Sequence, residues 1–186
     1  MSNLPTRRRK QELTTPGFKA PKNADLIVAD ISGSMMEMAQ GGMTRYECLC
    51  AALKPFVGRA NVIAFNDQVF EVPADNIPAP DGSTQMDKAL YRAEKLDPLH
   101  VLVISDGHPD SRDKAKVAAT LLAEKCIIDA LYIGPANDRN EEFMKELATI
   151  GRGRFSAFNL ETHTTKALED KVSGMLSLPA PSTVVL

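Results

Sequence analysis

Five residues in three separate segments of the chain carry oxygen donors that could hold a hard cation. They are Asp30, Ser32, Ser34, Thr84 and Asp106. Three hydroxyls and two carboxylates make an all-oxygen set, which suits octahedral Mg²⁺ better than Ca²⁺, since Ca²⁺ takes more oxygens and more carboxylates. Mn²⁺ has similar oxygen preferences and can substitute. The residue types therefore predict a small magnesium site, provided that the three segments meet.

The predicted secondary structure gives these segments a reason to meet. The apolar run 26–29 predicts a buried strand that ends at Asp30, and the run 101–104 predicts another that ends just before Asp106. Thr84 lies in a polar loop directly before a predicted helix. In open α/β sheets, ligands bind beyond the carboxyl ends of the strands, at the switch in strand order. We therefore expect the three segments to share one edge of the sheet.

Strand and helix patterns alternate along the chain, which predicts an α/β fold. The fold class we expect is Rossmann-like and doubly wound, with a mostly parallel sheet, helices on both faces and one antiparallel hairpin strand at an edge. Strands are predicted at 26–29, 62–65, 69–72, 101–104, 127–133 and 155–158, and helices at 44–57, 86–93, 113–125, 143–150 and 168–176.

Helix capping offers a simpler explanation for each segment taken alone. Ser34 with Glu37 fits a capping box, Thr84 can cap the next helix, and Asp30 can cap a turn after its strand. Asp110 is predicted to cap the helix that follows it. His108 is predicted to be a loop residue because histidine suits softer metals than Mg²⁺. The five donors together, at strand ends in this order, favour the metal site over independent caps.

With these residues the chain resembles the von Willebrand factor type A (vWA) family and its metal-ion-dependent adhesion site (MIDAS). The family pattern is Asp-x-Ser-x-Ser after the first strand, then a threonine, then an aspartate after the fourth strand. Here the pattern is matched by Asp30, Ser32 and Ser34, then Thr84, then Asp106. The resemblance implies a six-stranded sheet in the order 3-2-1-4-5-6. It places a vWA domain at 24–178, between a flexible basic arm at 1–23 and a tail at 179–186.

The resemblance also implies a function, which is metal-dependent binding of a protein partner. On this resemblance we assign Ser32 and Ser34 as direct ligands, Thr84 as a direct ligand once a partner is bound, and the two aspartates as ligands partly through water. An Asp or Glu of the partner would complete the coordination. The chain most resembles cytoplasmic single-domain bacterial and phage members of tellurite-resistance type. Members of the vWA family frequently work beside ATPases or as parts of larger assemblies, so the resemblance implies a partner of that kind.

Two other functions are weighed against binding. A metal-dependent hydrolase needs a base beside the metal, and the two aspartates are already committed as ligands. No nucleotide-binding loop or nucleophile elbow is present, so we expect no enzyme. Nucleic-acid binding through the basic run 7–10 is the other alternative, but a short basic run is usually a solvated tail and the chain as a whole is not basic.

Composition sets the remaining expectations. The 186 residues are 44% hydrophobic and 25% charged, with a net charge of -2, which fits one globular domain. Neither a membrane span nor an apolar signal-peptide core is predicted. Three cysteines without metal-like spacing favour reduced thiols, so we expect a cytoplasmic protein.

Four methionines near the site are predicted to pack in the core, with an adaptable apolar rim as the alternative: Met35, Met36, Met38 and Met43.

Overall fold

The computed structural model of the chain describes residues 13–14, 25–136, 139–160 and 162–176. These residues form seven strands and five α-helices. In chain order they are β1 (Leu13–Thr14), β2 (Asp25–Asp30), α1 (Arg45–Leu53), β3 (Asn61–Phe65), β4 (Val69–Pro73), α2 (Met86–Leu96), β5 (His100–Ser105), α3 (Arg112–Ala123), β6 (Ile127–Tyr132), α4 (Arg139–Ile150), β7 (Arg152–Ala157) and α5 (Thr165–Leu176).

The strands form one sheet in the order β1-β4-β3-β2-β5-β6-β7. Strands β3 and β4 pair antiparallel, and the other neighbouring strands of the described chain pair parallel. Without β1, this is the predicted six-stranded order 3-2-1-4-5-6 with one antiparallel strand, so the predicted fold class is confirmed. The two-residue β1 was not predicted. It lies inside the segment assigned to the basic arm and pairs with β4.

Alternate side chains of the central strands enter opposite cores, as a sheet covered on both faces requires. Leu26 and Val28 of β2 pack with the helices α2, α3 and α4. Ile27 and Ala29 of the same strand pack with α1 and α5. The continuous apolar runs seen in the sequence follow from this double burial. Because both faces of β2 and β5 are filled, polar residues appear only where these strands end.

Local sequence signals set the bounds of the first helix. Thr44 caps α1, since its hydroxyl accepts from the Glu47 backbone N–H at 3.1 Å while the Glu47 carboxylate accepts from the Thr44 backbone N–H at 2.7 Å. This is the predicted capping box. The helix ends at Leu53 and continues as a 3₁₀ turn, Lys54–Phe56, because proline at position 55 cannot supply a helical N–H.

The two terminal segments lie largely beyond the described chain. Residues 1–12 and 15–23 of the predicted arm, and the predicted tail at 179–186, are outside the described residues. Among the described helices, none has the length and apolar character needed to cross a membrane.

Candidate metal centre

Asp30 and Asp106 come together because their strands are neighbours. The parallel register of β2 and β5 pairs Ala29 with Ile104, so the residues that follow leave the sheet at the same edge. Both carboxylates are buried, Asp30 completely. Ser32 and Thr84 are buried as well, whereas Ser34 is only partly buried. The sheet edge predicted to carry the site therefore holds the two acids, as the strand pattern indicated.

Hydrogen bonds to Asp30 join the segment that carries Ser32 to the segment that carries Asp106. Oδ1 of Asp30 accepts from the Ser32 backbone N–H at 2.8 Å, and Oδ2 accepts from the Ser105 hydroxyl at 2.5 Å. The same Ser105 oxygen accepts from the Gly107 backbone N–H at 2.9 Å. The expected turn-capping role of Asp30 is therefore real, and it accompanies a long-range bond that joins two strand ends. Sequence reasoning did not identify Ser105.

The hydroxyls of Ser32 and Ser34 lie 3.1 Å apart, oxygen to oxygen. Ser34 belongs to a 3₁₀ turn, Gly33–Met36, whose N-cap Ser32 makes no side-chain capping bond. The alternative of a capping box formed by Ser34 and Glu37 is wrong for this reason. Two neutral hydroxyls side by side, next to the Asp30 turn, are available donors for a hard cation.

Backbone bonds hold the Thr84 segment between the other two. The Gly33 N–H donates to the Gly82 carbonyl at 3.1 Å, and the Thr84 N–H donates to Oδ1 of Asp110 at 2.9 Å. Thr84 does not cap α2, whose N-cap is Gln85 without a side-chain bond. Asp110 likewise does not cap α3, because Ser111 takes that role and Asp110 braces the Thr84 loop instead. All three predicted segments meet.

The electrostatics of the edge favour a bound cation. Burial and, after it, the neighbouring charge of Asp106 raise the pKa of Asp30 to about 6, although the hydrogen bonds from Ser105 and Ser32 lower it in part. Oδ1 of Asp106 is buried and has no hydrogen-bond partner. A buried acceptor left unsatisfied costs about 1–3 kcal/mol. A divalent ion would satisfy that oxygen and relieve the repulsion between the two acids, so the residues present fit a hard cation.

The carboxylates alone would not suffice. Within the described residues, no three His, Cys, Asp or Glu side chains gather as a metal-binding group. The serine and threonine hydroxyls would have to supply the remaining protein ligands, as their positions in the sequence predict.

Arg45 is a second residue beside the candidate site, after Ser105, that the sequence did not predict there. Its Nη1 lies 3.4 Å from Oδ2 of Asp106, and its Nη2 lies 2.7 Å from Oε2 of Glu37. A signal was present, because Arg45 begins the buried stripe of α1 that continues through Cys48, Leu49 and Ala52 at helical spacing. An arginine on a buried stripe requires a buried anion, and here that anion is Asp106.

A cleft of about 360 Å³ opens beside the site. Its walls include Ser34, Glu37, Arg45, Asp106 and His108. His108 is exposed, as expected of a loop residue.

The prediction that the nearby methionines pack in the core holds for Met35 and is wrong for Met36 and Met38, which are 54% and 60% exposed.

Comparisons with known proteins support the fold. No family model and no curated protein matches the chain. An aerotolerance-related membrane protein from Bacteroides fragilis is 20% identical over 82% of this chain and all of its own, with a TM-score of 0.58. A von Willebrand factor type A protein from Catenulispora acidiphila is 16% identical over 84% of this chain and 42% of its own, with a TM-score of 0.62. The manganese-loaded TRAP protein of Plasmodium vivax is 18% identical over 79% of this chain and 71% of its own, with a TM-score of 0.56. These likenesses support a vWA fold.

Proposed function

We propose that this chain, with its vWA-like fold, is a metal-dependent protein-binding module. In this proposal Asp30, Ser32, Ser34, Thr84 and Asp106 form a MIDAS that holds one Mg²⁺ ion, which Mn²⁺ can replace. The observation that carries the proposal is the unpartnered, buried Oδ1 of Asp106 beside a second buried carboxylate. The manganese-loaded protein of the same fold adds support for a divalent ion.

The ion would supply a Lewis-acidic position open to an acidic side chain of a partner. The roles of the chain's own residues follow from their positions. Ser105 and the Ser32 backbone hold the Asp30 carboxylate in place, and Asp110 holds the Thr84 loop against the site. Because Ser32, Ser34 and Thr84 are neutral, the ion keeps a strong attraction for an external carboxylate. This favours recognition of a partner carboxylate through a charge-assisted bond, without cleavage of any covalent bond.

The nature of the partner follows from the sequence resemblance. We propose a protein that presents Asp or Glu, such as an ATPase or a component of a larger assembly. We further propose that this chain is itself a cytoplasmic bacterial or phage protein of tellurite-resistance type. Exposed Met36 and Met38 would add an adaptable apolar rim to the contact.

Metal binding can be tested without knowing the partner. Mg²⁺ at ten times its Kd should raise the free energy of unfolding by about 1.4 kcal/mol, as measured by urea denaturation with and without EDTA. Ser34→Ala and Asp106→Asn should reduce this increment, whereas Asp75→Asn, at an exposed position, should keep it. The proposal would be contradicted if Ser34→Ala and Asp106→Asn bound Mn²⁺ as the native chain does and gained the same stability from Mg²⁺.

Partner capture tests the second half of the proposal. Affinity purification of the native chain should retain a partner in Mg²⁺ and release it in EDTA, and Asp30→Ala should retain none. Retention that is unaffected by chelation would argue against recognition through the ion.

The two alternative functions predict different results. A metal-dependent hydrolase should turn over p-nitrophenyl phosphate in Mg²⁺, and we expect no turnover. Nucleic-acid binding through the basic run should show a steep salt dependence that is lost when residues 1–10 are removed. We expect only weak nucleic-acid binding, with no steep salt dependence.

A further inference from the structure

We infer that Arg45 is a second carboxylate-binding group beside the ion, and that the side chain of Glu37 occupies it until a partner with two neighbouring acidic residues displaces it. One partner carboxylate would bind the ion and the other would bind Arg45. This inference rests on the proposed function and names the class of its ligand, a di-acidic segment.

The distances show that Glu37 is the principal partner of the guanidinium. Charge-assisted N–H···O bonds are usually about 2.7–2.9 Å long. The Arg45–Glu37 contact, at 2.7 Å, falls in that range, whereas the Arg45–Asp106 contact, at 3.4 Å, is long. Asp106 therefore positions the arginine without saturating its donors. A planar fork of five N–H groups can accept a second carboxylate.

Burial distinguishes the two members of the Arg45–Glu37 pair. The Arg45 side chain is only 7% exposed, whereas that of Glu37 is 61% exposed. The backbone of Glu37 is held, since its N–H donates to the Ser34 carbonyl and its own carbonyl accepts from the Arg45 N–H. Only the side chain of Glu37 is free to swing into solvent. The guanidinium of Arg45 is thus fixed, whereas the carboxylate that binds it can be exchanged.

Charge balance gives an external acid a reason to enter. The ion and Arg45 would together carry three positive charges, which Asp30, Asp106 and Glu37 match, and Glu37 is the one exposed acid of the three. When Glu37 swings away, one positive charge is left over, and the Arg45 side chain that lost its partner is only 7% exposed, so the unpaired charge is costly. A partner carboxylate would restore the balance.

The cleft has room for such a ligand. Its volume of about 360 Å³ corresponds to about twelve water molecules at ~30 Å³ each, which exceeds the needs of one carboxylate. Ser34 and Asp106 of the metal site line the same space as Glu37 and Arg45. A short acidic segment could therefore reach the ion and the guanidinium together.

The test uses two blocked dipeptides as probes, N-acetyl-Asp-Asp-amide and N-acetyl-Asp-Asn-amide, titrated in Mg²⁺ and followed by NMR chemical shifts. The native chain should bind the di-acid more tightly than the mono-acid. Glu37→Gln should raise the affinity for the di-acid by about twofold to fivefold, the range expected when one partly exposed ion pair stops competing. Glu146→Gln, which removes a similarly exposed paired glutamate on α4, should leave both affinities unchanged.

Arg45→Gln should abolish the preference for the di-acid. If that variant does not fold, the affinity of Glu37→Gln for the di-acid still tests the inference, because this change at an exposed position removes the competing carboxylate without disturbing the core. Equal Mg²⁺-dependent binding of both peptides, unaffected by Glu37→Gln, would overturn the inference and leave the proposed function standing. Absence of Mg²⁺ binding in the native chain would overturn both.

Discussion

The hydroxyl of Ser105 donates to Oδ2 of Asp30 at 2.5 Å, across the junction of two neighbouring strands. Both residues are completely buried. The same hydroxyl oxygen accepts from the Gly107 N–H, so one serine positions the Asp30 carboxylate and the turn that carries Asp106. Ser105 is therefore a positioning residue of the candidate metal centre.

Replacing Ser105 with alanine should destabilise the fold. The change leaves Oδ2 of Asp30 and the Gly107 N–H without their partner, and the expected loss in the free energy of unfolding is about 1–3 kcal/mol. Urea denaturation in EDTA measures it. Thr149→Ala is the control, because that exposed hydroxyl bonds only to a carbonyl of its own helix and should change stability by less than about 0.5 kcal/mol. Equal effects of the two variants would contradict a special role for Ser105.

Gly107→Ala should damage the turn that holds Asp106. Gly107 has a φ of 74°, and a Cβ there would collide with the backbone of Asn140. We expect a loss of about 1–3 kcal/mol in the free energy of unfolding and weaker Mg²⁺ binding. Gly174→Ala on α5 is the matched control, since a Cβ there meets nothing within 4 Å and should stabilise the helix by about 0.5–1 kcal/mol. Both values are read from urea unfolding curves.

His100 forms a second buried charge cluster, at the other end of β5. Its Nδ1 lies 3.3 Å from Oδ1 of Asp25, and its Nε2 lies 3.2 Å from Oδ2 of Asp129. Burial lowers the pKa of His100, but the carboxylates of Asp129 and Asp25 outweigh it and raise the pKa to about 9. The His100 ring is therefore charged at neutral pH in the folded chain.

The raised pKa predicts a stability that falls in alkali. Because the folded pKa lies above the ordinary value of 6.5, the contribution is full below pH 6.5 and is lost as the pH rises through about 9. We expect a fall on the order of 2–3 kcal/mol in the free energy of unfolding across that window, measured by urea denaturation. His100→Gln should flatten the profile, whereas His163→Gln, at an exposed position, should not. An unchanged slope in His100→Gln would refute the assignment.

Arg154 connects this cluster to the last helix. Its guanidinium donates to the Asp129 carboxylate and to the carbonyls of Gly174 and Met175 near the end of α5. Arg154→Lys should lose most of these bonds, because a lysine ammonium lacks the planar fork. Amide hydrogen exchange in α5 should become faster by tenfold or more, which corresponds to about 1.4 kcal/mol. Lys166→Ala, which breaks exposed ion pairs on the same helix, should have little effect.

Much of the fold was predictable from the sequence because both faces of its central strands are covered. Continuous apolar runs such as 26–29 and 101–104 are typical of buried strands, because they are too short for helices and end at turn residues. The edges were harder to predict. The strand β7 begins at Arg152, three residues before the predicted start, since its partly exposed side chains give no apolar run. The two-residue β1 offers too short a pattern to detect.

The five candidate ligands could be chosen from the sequence because carboxyl ends of neighbouring parallel strands share one edge. Their supporting partners could not. Helical spacing indicates that Arg45 is buried, but no local pattern specifies that it meets Asp106 across 61 residues or that Ser105 meets Asp30 across 75. Residue types and hydrophobic period thus determined which donors face the edge. Only tertiary packing, which brings α1 over the end of β5, decided that a buried arginine shares the site with them.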